Sequence, residues 1–467
     1  MQDAAPNALE TTTVVERLAA FAVALKPEDV TPAAMTWARH ALLDWSGVTL
    51  AACAEPAVQL LIADMETGEG DSMLVGQRGR RATVYDAVLI NGTAGHALDY
   101  DDVIRALGGH PSVPTVPVAL ALAERHGHSG REALTAIIGG FEVACALGLM
   151  TGTSHYERGF HNTATLGTFG AAATAGILLG LSAEQMRQAF GLAASMASGL
   201  KCNFGTMTKP FHAGLAAQSG LRAARLAAAG FTSNSNAVEA DQGFVATQVP
   251  QFDPAAWHAP DDRQPRFAIE RTLFKYHAAC YGTHGVLEAI GELRRTHHVA
   301  LENLEAMTLI VNTRSAGNCN QSDPKSGLAL KFALCHLAIA ALAGEDTAAL
   351  ATYSEATATR PEYVAAKDRV QARFEPERDR MTARVELTTR DGRTLAADAD
   401  VGRPAEHLDD QWRKLGAKFQ SLALPIVGSD TTNAIMAEIA ALGDARNARE
   451  LTKLLGGTPL PANKRSA

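Results

Sequence analysis

Residues 91–117, NGTAGHALDYDDVIRALGGHPSVPTVP, gather three aspartates (Asp99, Asp101, Asp102) and two histidines (His96, His110) among Gly, Ser and Pro. The mixture is too irregular for one helix, and irregular backbone holds polar side chains in fixed, non-periodic directions, as an active site requires. Two further histidine-bearing segments follow, Gly159-Phe160-His161-Asn162-Thr163 and Thr208-Lys209-Pro210-Phe211-His212. These residue types suit general acid–base chemistry. Histidine has an ordinary pKa of about 6.5, and lysine offers positive charge. A positioned acid or base contributes roughly 10²–10⁴-fold, and one donor to a developing oxyanion about 2.7–4 kcal/mol. Several groups must therefore act together.

The elements that position them come from a chain of 467 residues, 47% hydrophobic, long enough for a large core and two domains. A net charge of −8 without a basic stripe argues against a nucleic-acid partner, so an anionic substrate needs a local cationic pocket. The six cysteines are scattered without a C-x-x-C pair and read as buried small hydrophobes in a reducing compartment. Met1 to Leu18 lacks the pattern of a secretion signal. The apolar stretches are interrupted before reaching about 18 residues, so no membrane span is expected and a cytoplasmic location is.

Residues 1 to roughly 270 read as helical. Thr31-Pro32 gives an N-cap with proline at the first helical position, and Ser182 to Gln185 has capping-box spacing. The Ala- and Gly-rich run from Thr163 to Leu200 predicts a buried hairpin of helices, with Gly167, Gly170 and Gly176 serving packing and not a dinucleotide. After about residue 270 the texture changes. Asn303 to Thr313 is strand-like, and Met381 to Val401 alternates around Asp391-Gly392, a hairpin signal. Helical runs are expected at Leu328 to Ala343, Pro361 to Val370 and from about Leu408 onward, before a frayed tail, Pro461 to Ala467.

On these motifs the chain resembles the MmgE/PrpD family, across nearly its whole length. The resemblance implies a mainly α fold: a large all-helical domain built from both chain ends, about 1–268 and 405–467, plus a smaller α+β lid domain, about 269–404. It implies cofactor-independent proton transfer beside the carboxylates of a small anionic di-, tri- or tetracarboxylate, no metal, and a homodimer. The family's D-x-D-D pattern points to Asp99 as the aspartate facing the site, leaving Asp101 and Asp102 to capping or turn hydrogen bonds. His110 and His161 match family active-site histidines, whereas His96 does not and reads as structural. Lys209 matches the lysine of a T-K-P-x-H motif, with His212 as its neighbour. Lys201 is a further substrate-binding candidate, or a lysine reaching for solvent. Lys275 to His284 resembles the family's cysteine-and-Thr-His segment, which makes His284 catalytic and Tyr281 and Thr283 substrate-binding, with His277 a weaker candidate.

Two positions depart from the decarboxylase and dehydratase pattern. Val103 stands where the decarboxylase branch has threonine, and His336 where tyrosine is usual. Both changes alter which groups can protonate a leaving hydroxyl. Within the family the chain most resembles the iminodisuccinate epimerases, whose reaction needs two bases and no leaving group. The expected activity is therefore epimerisation, with a hydro-lyase of the 2-methylcitrate dehydratase type, or a related decarboxylase, as the alternative. A metal-binding reading of the Asp99–His110 segment meets no standard zinc spacing.

Overall fold

A computed structural model describes residues 12–65, 70–260 and 267–457. The expected tail and residues 1–11 of the stretch tested for a leader lie outside these. The chain divides into two compact units, Met1–Thr272 with His407–Ala467, and Leu273–Glu406.

The larger unit is mainly α. Its helices in chain order are α1 (Val14–Ala24), α2 (Pro32–Ala51), α3 (Pro56–Asp64), α4 (Val84–Ala97), α5 (Ser112–His126), α6 (Gly130–Thr151), α7 (Ser154–Glu157), α8 (Asn162–Leu178), α9 (Ala183–Met196), α10 (Thr208–Ala228) and α11 (Phe244–Gln248). Thr31 caps α2 by accepting from the Ala34 N–H, and Ser182 and Gln185 close a reciprocal box at the start of α9. The helical reading missed an antiparallel ribbon, β1 (Ser72–Met73) with β2 (Arg81–Ala82), whose strands are too short to show alternation.

The centre of this unit is α8, buried along nearly its whole length and packed by α5, α6 and α10. Small residues permit the approach. A Cβ on Gly170 would come 2.8 Å from the Gly140 carbonyl oxygen, and one on Gly220 2.5 Å from the Ala171 Cβ. Helix α6 corrects the expectation that apolar runs stay short. It is long and apolar enough to span a bilayer, with a mean hydropathy of 1.9 over 18 residues, but 94% of that window is buried inside the protein. Its apolar surface is thus satisfied by α8, α5 and α2.

In the smaller unit, α12 (Tyr281–His297) leads to β3 (Leu304–Asn312), and then come α13 (Arg314–Asn318), α14 (Gly327–Leu330), α15 (Leu334–Ala343), α16 (Glu355–Ala358) and α17 (Pro361–Ala366). Strands β4 (Val370–Glu375), β5 (Thr382–Thr389) and β6 (Thr394–Asp400) complete a sheet of order β4-β3-β5-β6, in which only β3 and β4 run parallel. Strand β5 alternates buried Ala383, Val385, Leu387 and Thr389 with half-exposed neighbours, and Gly392 turns the hairpin at φ 84°. The helix expected from Leu328 to Ala343 is broken, because Ala333 bridges Asn320 and the Phe332 carbonyl accepts from Gln321. The run from Pro361 ends early as well: Lys367–Arg369 tightens into a 3₁₀ turn so that Val370 can open β4.

The chain then returns to the larger unit as α18 (Leu408–Ala441) and α19 (Arg449–Gly456). Pro425 and an extended, positive-φ Gly428 (φ 77°, ψ 170°) divide α18 into two helices.

Candidate active site

Within the larger unit the acid–base residues converge where α4 ends and α5 begins. Residues 91–97 are the last turns of α4, and the chain is irregular from Leu98 until Ser112 opens α5. Asp99 adopts φ 50°, a left-handed conformation that non-glycine residues seldom take. Helix α8 braces the far side of this loop. Asn162 donates to the Leu107 carbonyl at 2.9 Å, and the His110 N–H donates to Thr163 Oγ1 at 3.1 Å. A side chain at Gly109 would strike Thr163, its Cβ only 2.8 Å from Oγ1.

Asp101 is the hub, fully buried. His96 Nδ1 lies 3.0 Å from both of its carboxylate oxygens, and His110 Nδ1 lies 2.9 Å from Oδ2. The His96 ring nitrogen therefore carries the hydrogen and donates it. The His110 contact is a close ion-pair distance without an aligned hydrogen bond. Burial pushes the Asp101 carboxyl up, but His110 and His96 outweigh it and hold the group well below the usual carboxylate range. His96 goes the other way: burial lowers it to about 4 despite Asp101, so its imidazole is neutral near pH 7. The turn-capping role expected for Asp101 is thus corrected. Asp102 does take that role, accepting from the Ser112 hydroxyl at 2.7 Å at the start of α5. Burial and the nearby Asp44 raise its carboxyl well above the usual range.

The opposite side of the cluster is cationic and aromatic. Lys209, in the first turn of α10, places Nζ 3.0 Å from Asp99 Oδ1 and 5.2 Å from the centre of the Phe204 ring. His110 Nε2 lies 3.8 Å from the same Asp99 oxygen. His161 caps α8 from a buried position, stacks on His96 with centroids 5.7 Å apart, and meets His212 at 3.4 Å between Nδ1 atoms. Burial, then His96 and Lys209, lower His161 well below its ordinary value, and burial lowers His212, so both are neutral near pH 7. Lys201 lies beside the His161 segment, its backbone N–H donating to the Gly159 carbonyl at 2.9 Å. Its Nζ donates to the Tyr156 carbonyl at 2.9 Å and lies 3.6 Å from the centre of the Tyr156 ring.

Asp99, His110, His161, Lys209 and His212 are thus brought together, along with His96 and Asp101. Sequence alone gives those two structural roles, because in this segment the family motif singles out Asp99 and His110. The remaining candidates belong to the smaller unit. There His284 stacks on Tyr281 with centroids 4.8 Å apart and donates through Nε2 to the Ala279 carbonyl at 3.2 Å. The Tyr281 hydroxyl donates to Val401 O at 2.6 Å, and Thr283 Oγ1 donates to Cys280 O at 2.8 Å. His277 lies 3.4 Å from Glu288. His336, on α15, packs edge-on to Tyr363, and burial lowers its pKa. Val103, half-buried in the larger unit's loop, brings no hydroxyl.

His96, Asp99, Asp101 and His110 each offer a ligand atom within 4.8 Å of the others, a spacing a divalent cation accepts. The Lys209 ammonium already supplies positive charge at Asp99. Chemically, the arrangement offers a histidine fixed by a buried carboxylate, a lysine to neutralise a substrate carboxylate, and neutral imidazoles that can donate or accept a proton.

Comparison with known proteins agrees with this chemistry. The chain is 27% identical over 410 residues to a cis-aconitate decarboxylase of Homo sapiens, covering 84% of this chain and 83% of that one. It is 27% identical to a Mus musculus cis-aconitate decarboxylase over 391 residues, with coverages of 79% and 78%. A cis-aconitate decarboxylase-like protein of Aspergillus oryzae is 29% identical over 303 residues, covering 61% of this chain and 62% of its own. Residues 16–256 match the MmgE/PrpD N-terminal domain and residues 277–443 the MmgE/PrpD C-terminal domain, and the chain belongs to the MmgE/PrpD family.

Proposed function

We propose that this protein is a lyase that breaks a bond next to a carboxylate of a small polycarboxylic acid, most directly by decarboxylation of a cis-aconitate-like substrate. The observation that carries the reading is the line Lys209–Asp99–His110–Asp101, in which adjacent groups lie 3.0, 3.8 and 2.9 Å apart. When CO₂ leaves an unsaturated tricarboxylate, the electron pair spreads through the double bond into a neighbouring carboxylate, and a carbon must then be protonated. Lys209 neutralises the carboxylate that takes up charge. His110, whose Nδ1 lies 2.9 Å from Asp101, delivers the proton to carbon through Nε2, which faces Asp99. Asp99 holds Lys209 in place until the substrate carboxylate takes over that contact.

The cis-aconitate decarboxylases among the relatives favour this lyase reading over the epimerase expected from the sequence. The epimerase remains a second reading because His110 and His161, both at the cluster, could serve two faces of one carbon.

Proton NMR in D₂O with EDTA separates these readings. The enzyme would be offered cis-aconitate, 2-methylcitrate and one stereoisomer of iminodisuccinate. A decarboxylated alkene carrying one deuterium on carbon is expected from cis-aconitate. Deuterium and a second stereoisomer appearing only with iminodisuccinate would overturn the lyase reading in favour of epimerisation, and olefin only from 2-methylcitrate would make the enzyme a dehydratase.

A further inference from the structure

We propose that Cys280 and Cys319, in the smaller unit, are a reversibly oxidisable dithiol that closes to a disulfide at the N-terminus of α12. The sequence reading treated all six cysteines as buried hydrophobes, and the structure corrects this. Cys53, Cys145 and Cys319 are buried, but Cys280 and Cys335 are half-buried and Cys202 is exposed.

Cys280 is the N-cap of α12, and Cys319 the C-cap of α13. Residues 39 apart are brought together by one turn. The Cys280 N–H donates to the Lys331 carbonyl at 3.0 Å, and the Cys319 carbonyl accepts from the Leu334 N–H at 2.9 Å. Asn320, next to Cys319, bridges Ala333 within the same turn. Cys319 Sγ donates to the Ser315 carbonyl at 3.5 Å, and Cys280 is the neighbour that acts most strongly on it. Gly282, in the first turn of α12, leaves room for this, since a Cβ there would lie 3.0 Å from Cys319 Sγ.

The two sulfurs are not equivalent. The contact with Cys280, together with burial, holds the Cys319 thiol well above its ordinary value, so it keeps its proton. Cys280 is the more accessible sulfur, at the start of a helix of 17 residues, so an oxidant reaches it first. Hydrogen peroxide is the oxidant class that fits. The Cys280 thiolate attacks the peroxide O–O bond, forming Cys280–SOH, and the hydroxide released takes a proton to become water. Cys319 sulfur then attacks the Cys280 sulfur, the S–S bond forms, and the sulfenic oxygen leaves with the Cys319 proton as a second water. Two electrons pass from the thiols to peroxide, and an external dithiol returns them. Closing the bond draws Cys280 toward α13, and with it the α12 turn carrying Tyr281 and His284.

The inference stands independently of the proposed reaction, and the test needs no activity assay. The full-length protein would be treated with a slight excess of hydrogen peroxide, alkylated, digested without reduction and mapped by mass spectrometry. The expected result is a Cys280–Cys319 cross-linked peptide, with Cys335 and Cys202 still alkylated and full reversal by dithiothreitol. In Cys319→Ser, a dimedone adduct on Cys280 is expected in place of the cross-link. A cross-link from Cys280 to Cys335, the third thiol near Cys319, or an unmodified Cys280 in the wild type, would overturn the assignment.

Discussion

Lys209 Nζ lies 3.0 Å from Asp99 Oδ1, and the Asp99 backbone is held at φ 50° to present that oxygen. A left-handed non-glycine residue stores of order 1–3 kcal/mol, and such strain gathers where geometry matters for chemistry. The same Asp99 oxygen is 3.8 Å from His110 Nε2, so one carboxylate spaces a cation from a proton carrier.

Removing the cation should therefore affect turnover far more than folding. Lys209→Ala is expected to lower kcat/KM by about 10²–10³, the loss typical of one donor to developing negative charge. Lys209→Arg keeps the charge but not the reach and should recover part of the rate. Steady-state kinetics alongside circular dichroism checks this. A correctly folded Lys209→Ala enzyme with near wild-type activity would remove Lys209 from the mechanism.

Asp101 and Asp102 are neighbours in sequence with opposite electrostatics, which gives a paired test. Asp101 is held ionised by two histidines, so Asp101→Asn should abolish turnover and cost about 1–3 kcal/mol for mispaired buried groups. Burial and Asp44 push the Asp102 carboxyl up, toward its neutral form, and an amide can still accept from Ser112, so Asp102→Asn should cost clearly less than Asp101→Asn. Urea unfolding of both variants decides. Equal destabilisation would show that Asp102 is charged in the folded protein.

Much of this arrangement was legible in the sequence because local rules agree there with the tertiary structure. The cap at Thr31, the box at Ser182 and the Asp391-Gly392 turn are set by backbone chemistry within a few residues. Lys209 and His110 sit in motifs that mark them before any fold is known. The pairing of His96 with Asp101 was not legible because it arises from contacts with each other and with His161 that form only when α4, the loop after it and α8 meet. The break at Phe332–Ala333 escaped notice because it is set by Asn320, thirteen residues away, and no proline or glycine marks it. Lys418 carries no motif, yet it is buried and its partners come from more than 300 residues earlier in the chain.

That lysine supports the loop from behind. Lys418 Nζ lies 2.6 Å from Asp44 Oδ1 and 2.8 Å from the Tyr100 carbonyl, the residue between Asp99 and Asp101, with both charged side chains almost wholly buried. Lys418→Met leaves Asp44 buried without its counter-charge and should destabilise by about 3–5 kcal/mol. The double variant Lys418→Met with Asp44→Leu should recover much of this, because no lone charge remains. Chemical denaturation of the single and double variants measures the coupling. A double variant as unstable as the sum of the two singles would mean that the pair does not act as a unit.

The buried histidines set the pH dependence of stability. Burial lowers both His40 and His96 to about 4, and His40 must stay neutral to accept through Nδ1 from Gln411 Nε2 at 2.8 Å. In the unfolded chain each histidine returns to an ordinary value near 6.5. Between pH about 6.5 and 4 the unfolded state therefore binds more protons than the folded one, and unfolding becomes easier as pH falls through that window. Asp101 acts lower down. Its depressed carboxyl contributes fully above pH about 4, and that contribution is lost only on further acidification. Thermal melts should thus show Tm falling steadily from pH 6.5 to 5, where carboxylates of ordinary pKa hardly titrate. His40→Gln, which keeps an acceptor for Gln411 and cannot ionise, should flatten part of that slope. The raised carboxyl of Asp102 opposes the histidines in this window, so the variant decides: a slope unchanged in His40→Gln would mean that this imidazole is solvated or paired in a way that lets it charge inside the fold.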